Sequence, residues 1–152
     1  MVKMIVNLFR NFAERFRHSP RRGYKICEAT LRCGDEVMRR PCLVTLEIPL
    51  QSTIVYPLTD SDRRRCDFAK VTEIELLAAV STDGYGDWEI IEVHNAYFPA
   101  CLVKYSLGDM VSCQKPFDRD LLDDCANGIY FFDTESAAID YCIDNYKSVW
   151  II

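Results

Sequence analysis

The run C-L-V-T-L-E-I at 42–48, enclosed by Pro41 and Pro49, is the segment that most constrains the fold. Aliphatic and β-branched residues between two prolines are typical of a strand. Further strand patterns occur along the chain, at 24–31, 88–93, 101–106, 110–113 and 129–132. A helix is predicted after them at 135–146, with Asp133 or Thr134 as its cap. Strands followed by a terminal helix predict an α+β fold with a small, mostly antiparallel sheet.

The other segments of the body have less regular patterns. Residues 50–65 are predicted to be a loop that ends in an exposed charged run, D-R-R-R at 62–65. Residues 68–80 fit either a strand or a short helix. Glycine and aspartate predict turns at 82–87 and 107–109, because both tolerate the backbone angles of a turn. Alternation at 129–132 puts Ile129 and Phe131 on one face, and we expect the terminal helix to cover the other.

The first residues of the chain form a separate pattern. Apolar residues recur there at helical spacing, at Ile5, Leu8, Phe9, Phe12 and Phe16. Ser19-Pro20 and Gly23 are expected to end this helix. A basic amphipathic helix of this kind is either an arm separate from the main fold or a helix packed on the domain. We predict an arm at 1–23, a single α+β domain at 24–146 and an apolar tail at 147–152.

Charge is strongly segregated along the 152 residues. Residues 1–25 carry seven basic residues and one acid, residues 26–70 are balanced, and residues 71–152 carry four basic residues and fifteen acids. An acidic body repels phosphate, which argues against nucleic-acid binding by the whole body. The sequence contains no apolar run long enough for a spanning helix and no pattern of a secretory signal, so we expect an intracellular protein.

Residues with reactive or metal-binding side chains form no recognised constellation. The eight cysteines contain no C-x-x-C pair, and His18 and His94 both lie apart from any cysteine pair. The acids at 118–124 lack the pattern of a calcium loop and predict a solvated connection. Glycine-rich phosphate loops and nucleophile motifs are also lacking. We therefore expect no catalytic residue, no cofactor, no metal and no small-molecule substrate.

The N-terminal segment and the tail are the predicted partner-binding regions. Arginine suits bidentate pairing with carboxylate or phosphate, and apolar side chains on one helix face suit a groove or an interface. An acidic protein surface, nucleic acid and an anionic membrane are the candidate partners of this arm. The candidate partner-binding residues are Ile5, Phe9, Arg10, Phe12, Arg15, Arg17, Arg21, Arg22 and Trp150.

A series of motifs in the body resembles one known domain. In chain order they are Y-K-x-C at 24–27, C-L-V-T-L-E-I-P at 42–49, R-C-D-F-A-K-V at 65–71, Y-S-L-G-D-M-V at 105–111, F-D at 117–118, C-A-N-G-I-Y-F-F at 125–132 and A-A-I-D-Y at 137–141. Together they resemble an uncharacterised domain of large double-stranded DNA viruses and of some pentapeptide-repeat proteins. The resemblance covers about residues 24–143. Tyr130 stands where that family usually has histidine.

The resemblance implies a viral context and a binding or structural role, with no activity to carry over. We therefore expect a non-enzymatic structural protein of a large DNA virus, a minor capsid or virion component. It would contact other viral structural proteins through its ends and occur in the virion, and in host cytoplasm before assembly. The alternatives are an adaptor that binds a host or viral protein, or an arm that binds nucleic acid or membrane.

Overall fold

The fold is described from a computed structural model, which covers residues 2–59, 62–77, 88–95, 103–113, 116–122 and 127–146. The two helices are α1 (Val2–Ala13) and α2 (Glu135–Tyr146), and a 3₁₀ turn at Glu14–Phe16 extends α1. The strands are β1 (Arg21–Cys33), β2 (Glu36–Ile48), β3 (Ile54–Val55), β4 (Arg64–Cys66), β5 (Phe68–Leu76), β6 (Glu89–Asn95), β7 (Met110–Ser112) and β8 (Ile129–Phe131). The predicted turn at 82–87 and the tail at 147–152 lie outside the described residues.

Two antiparallel sheets organise the described chain. The larger sheet has the order β6-β1-β2-β5-β7, and the smaller one has the order β3-β4-β8. The hairpin of β1 and β2 is the centre of the larger sheet, and it turns at Gly34 with a positive φ of 60°. The prediction of an α+β fold with a mostly antiparallel sheet and a helix at each end is confirmed.

Alternation along β1 and β2 creates two cores on opposite faces of the larger sheet. Cys27 and Val44 belong to the larger core, which the smaller sheet covers. Ile26 and Leu43 belong to the second core, with α2. Phe132 also packs in this second core, its ring 5.1 Å from that of Tyr141, so the expected cover by the terminal helix is confirmed.

The two sheets meet where β1 passes β8. Tyr24 and Phe132 exchange backbone hydrogen bonds of 2.9 and 2.7 Å. At Gly23 the backbone lies so close to Phe131 that a Cβ atom there would stand 2.5 Å from the ring. Only glycine fits this crossing without movement of the ring.

Several local predictions are confirmed. Asp109 donates its N–H to the Ser106 carbonyl at 3.0 Å, and Gly108 has a positive φ of 86°, which closes the turn at 107–109. The ambiguous segment from Phe68 is a strand rather than a helix, because β5 pairs with both β2 and β7. Thr134 caps α2, since its Oγ1 accepts the N–H of Ala137 at 3.1 Å.

The prediction of an exposed charged loop ending at Arg65 is wrong. Residues 54–55 and 64–66 are strands β3 and β4, and the three arginines at 63–65 are buried. Arg65 is fully buried, where its Nε donates to the Asp118 carbonyl at 3.0 Å and its Nη2 donates to the Asp120 carbonyl. Arg63 lies over the ring of Tyr130 at 4.8 Å. Carbonyls and aromatic rings thus replace water around these cations.

Candidate functional site

Helix α1 lies on the body with its polar face inward. Asn7 is 4% exposed, and its Nδ2 donates to the Pro57 carbonyl at 2.6 Å. Asn11 accepts the Tyr56 N–H on Oδ1 at 2.8 Å and donates from Nδ2 to the Tyr56 carbonyl. The side-chain amide of Asn11 therefore pairs with the Tyr56 backbone as a neighbouring strand would.

The C-terminal end of this helical segment is held by charge. Glu14 accepts a 3.0 Å hydrogen bond from the Tyr56 hydroxyl and forms ion pairs with Arg21 at 3.0 Å and with Arg17 at 3.5 Å. Burial raises the pKa of the Glu14 carboxyl above its ordinary value, and the two arginines oppose that rise. Arg17 also donates from Nη2 to the carbonyls of Pro49 at 2.7 Å and of Ser52 at 2.9 Å, among others.

The ring of Tyr56 is the centre of this contact. The guanidinium carbon of Arg64 lies 4.8 Å from the ring centroid, and those of Arg10 and Arg21 lie at 5.6 Å. Asp133 pairs with Arg64 at 3.5 Å and with Arg10 at 3.9 Å. Desolvation lowers the pKa of Arg64, and Asp133 opposes that shift. Three guanidinium groups thus lie around one aromatic ring, and Asp133 pairs with two of them. The contacts of Arg10 are long and partly exposed, so they add only weakly to the attachment of α1.

The apolar face of α1 points away from the body. Phe9 is 68% exposed and Phe12 is 57% exposed, although both belong to the apolar stripe of the helix. The exposed large apolar residues of this helical segment are Val2, Met4, Ile5, Val6, Leu8, Phe9, Phe12 and Phe16. This is the reverse of a surface helix in a globular protein, which turns its apolar stripe to the core. We name these eight residues the outer face.

A groove runs beside the outer face. Its volume is about 800 Å³, and its apolar lining comes from Leu8, Phe9 and Phe12 of α1 and from Leu50, Ile54 and Val55 of the body. Arg15 and Arg119 also line the groove. The lining also includes Asn11 and Glu14, so the groove combines apolar surface with charges of both signs.

The predicted binding residues of the N-terminal segment fall into two groups. Ile5, Phe9 and Phe12 lie on the outer face, while Arg15 and Arg22 are exposed. Three other arginines have intramolecular partners, and these are Arg10, Arg17 and Arg21. Trp150 lies outside the described residues. The sequence interpretation missed Asn7, Asn11 and Glu14, although their spacing of four and three places them on one face of the amphipathic helix.

Two contacts in the described part of the chain involve titratable side chains away from α1. Lys25 Nζ donates to the Tyr105 hydroxyl at 2.6 Å, and burial lowers the pKa of Lys25 and raises that of Tyr105. His94 Nε2 lies 3.5 Å from Glu28 Oε1, and its Nδ1 lies 3.1 Å from the Asn95 carbonyl. The described residues include no group of three or more His, Cys, Asp or Glu placed to hold a metal ion.

Most of the chain matches one protein family. The model of a family of unknown function (DUF5758) matches residues 11–138. The chain belongs to this family. The match begins at Asn11, earlier than the resemblance at 24–143 implied, so it includes the residues that fix the end of α1 to the body. Neither a curated protein nor a solved structure matches the chain.

Proposed function

We propose that this protein is a non-enzymatic structural protein that attaches to a neighbouring surface through the outer face of α1. The observation that carries the proposal is the orientation of the helix, which leaves eight large apolar side chains in solvent. A contiguous exposed apolar patch typically marks an interaction site in a soluble protein. The polar contacts of Asn7 and Asn11 hold the patch outward, so its exposure is built into the fold.

The proposal extends to the biological context. A minor capsid or virion component of a large DNA virus needs a compact body and a surface that contacts its neighbours, and the motifs that resemble viral domains support this context. Other viral structural proteins are then the partners, in the virion and in host cytoplasm before assembly. An intracellular adaptor for a host or viral protein would use the same outer face and remains the alternative.

Nucleic-acid binding by the N-terminal segment has weaker support. Arg17 donates to carbonyls of the body and pairs with Glu14, and Arg21 pairs with the same carboxylate. These two guanidinium groups are therefore already engaged within the chain, which reduces the charge that the segment can offer to phosphates.

Packaging of the full chain into purified particles tests the proposal. We expect the wild-type chain in particles and a loss of about tenfold or more for the double variant Phe9→Asp, Phe12→Asp, because two carboxylates would oppose burial of the outer face. Val37→Asp is the matched control, since Val37 is 60% exposed but belongs to β2 rather than α1. Absence of the wild-type chain from particles, or equal packaging of the double variant, would contradict the proposal.

A further inference from the structure

The outer face of α1 has the charge pattern of a helix that lies in a membrane interface. Successive residues of an α-helix are rotated by about 100°, which puts Lys3 and Arg10 on one flank of the apolar stripe and Arg15 on the other. All three side chains are exposed. Basic residues on both borders of an apolar stripe can reach lipid headgroups while the apolar side chains enter the acyl region.

Acidic neighbours reduce this positive charge only in part. Lys3 lies 3.6 Å from Asp62, with both side chains more than half exposed, and Arg10 lies 3.9 Å from Asp133. Exposed pairs of this length are weak, so an anionic surface can replace the carboxylates as partner. Glu14 lines the groove, but its carboxylate is mostly covered and paired with Arg17 and Arg21, so it adds little negative charge to the outer face.

The dimensions of α1 favour a position along the membrane surface. The helix has twelve residues, whereas a span needs about twenty. Within the described residues, no helix is long and apolar enough to cross a membrane. Since the inward face of α1 is bonded to the body, only the outer face is available to enter the interface.

A bilayer fits this surface better than a second copy of the chain. Two outer faces packed together would bring Lys3, Arg10 and Arg15 of one helix near those of the other, and like charges repel. A protein partner would have to supply an apolar groove with acidic rims on both sides. A bilayer with anionic lipids offers an apolar acyl layer below negatively charged headgroups and needs no specific shape. The groove beside α1 adds apolar surface next to Arg15 and Arg119.

We propose that α1 binds the surface of an anionic phospholipid bilayer, with Phe9 and Phe12 in the acyl region and Lys3, Arg10 and Arg15 at the headgroups. This inference rests on the proposed attachment of the outer face to a neighbouring surface, and it assigns a bilayer rather than a viral structural protein as the surface that α1 contacts.

Flotation of the full chain with vesicles tests the inference. The probes are vesicles of phosphatidylcholine alone and vesicles that also contain phosphatidylserine. We expect binding to be about tenfold or more tighter when phosphatidylserine is present, and to weaken as salt is raised. Phe9→Asp with Phe12→Asp should abolish flotation, Arg15→Glu should reduce it about tenfold or more on the anionic vesicles only, and Val37→Asp should behave as wild type.

The outcomes separate the two proposals. If the wild-type chain fails to float with anionic vesicles, or if the double variant floats equally well, the bilayer inference is overturned. If packaging into particles still requires Phe9 and Phe12 in that case, the partner is a protein and the proposed function stands. If packaging is also indifferent to these residues, both proposals fail. Circular dichroism of each variant confirms that the exposed substitutions leave the fold intact.

Discussion

At the scale of single residues, the buried thiols make stability depend on pH. Cys27 and Cys42 face each other across β1 and β2, and Cys66 lies in the same core. Burial raises the pKa of Cys27 and of Cys66 to about 12 and raises that of Cys42 as well. A thiol in an unfolded chain ionises near pH 8.5. Between about pH 8.5 and about pH 12, the unfolded chain therefore loses thiol protons that the folded chain retains.

The sign of this effect gives a prediction for Cys27. Its contribution to stability is fully present below about pH 8.5 and is lost as the pH rises toward 12. The free energy of unfolding should fall by about 1.4 kcal/mol per pH unit more steeply in the wild type than in Cys27→Ala. Denaturant unfolding at a series of pH values from about 9 to about 11 measures the two slopes. Parallel curves for the two chains would contradict the prediction.

Lys25, which lies near Cys27, affects the pH dependence of stability in the opposite direction. Burial lowers its pKa, so the unfolded chain holds the extra proton and stability rises with pH on account of this residue. Both chains contain Lys25, so the effect of its burial cancels in the difference between their slopes, which then reports the thiol together with its interaction with Lys25. Burial of the cysteines was predictable from sequence, because free cysteine behaves as a small hydrophobe. The partly buried Lys25–Tyr105 pair was not, since its two members are far apart along the chain.

At the scale of elements, the sequence of α1 predicts the helix but not its orientation on the body. The helical spacing of Phe9 and Phe12 predicts the helix correctly, but not which face contacts the body. That depends on Tyr56 and Pro57, whose backbone groups follow the short strand β3 and are paired with the side chains of Asn7 and Asn11. Residues 50–65 gave no periodic signal because β3 and β4 are only two and three residues long.

The docking of α1 through Asn11 gives the second prediction. Asn11→Ala leaves the Tyr56 N–H and carbonyl without their side-chain partner, so α1 should open locally while the sheets stay closed. Hydrogen exchange should become roughly 5- to 30-fold faster at the Tyr56 amide and along α1, in line with the loss of one or two hydrogen bonds. Amides at the centre of β1 should keep their protection.

Phe12→Ala is the matched control for this experiment. Phe12 is the next residue of the same helix and is 57% exposed, so its truncation leaves the hydrogen bonds of Asn7 and Asn11 to the body in place. Its exchange pattern should match the wild type. Equal acceleration in both variants would mean that the helix responds to its own propensity rather than to the contact with Tyr56.

At the scale of the whole molecule, the charge segregation takes on a structural meaning. The basic first part of the chain places Arg17 and Arg21 against Glu14 and against carbonyls of the body, and leaves Lys3 and Arg15 exposed. Some of its charge therefore fixes the helix, while the rest borders the outer face. The predicted boundary between an arm at 1–23 and a domain at 24–146 stays a prediction, although β1 begins at Arg21.

A substitution at Arg17 tests whether the N-terminal segment unfolds together with the body or separately from it. Its guanidinium is buried and donates to carbonyls of Pro49, Leu50 and Ser52, so Arg17→Met removes several contacts at once. We expect one cooperative transition with a free energy of unfolding lowered by about 2–4 kcal/mol.

Arg15→Met is the control, because Arg15 lies two residues earlier and is exposed, so its substitution should lower the free energy of unfolding by less than about 0.5 kcal/mol. Chemical denaturation followed by circular dichroism and by tryptophan fluorescence measures both variants, in a Trp150→Phe background so that Trp88 alone reports. If Arg17→Met shifts only the helical signal, 1–23 is a separate arm; coincident shifts of both signals make it part of one folding unit.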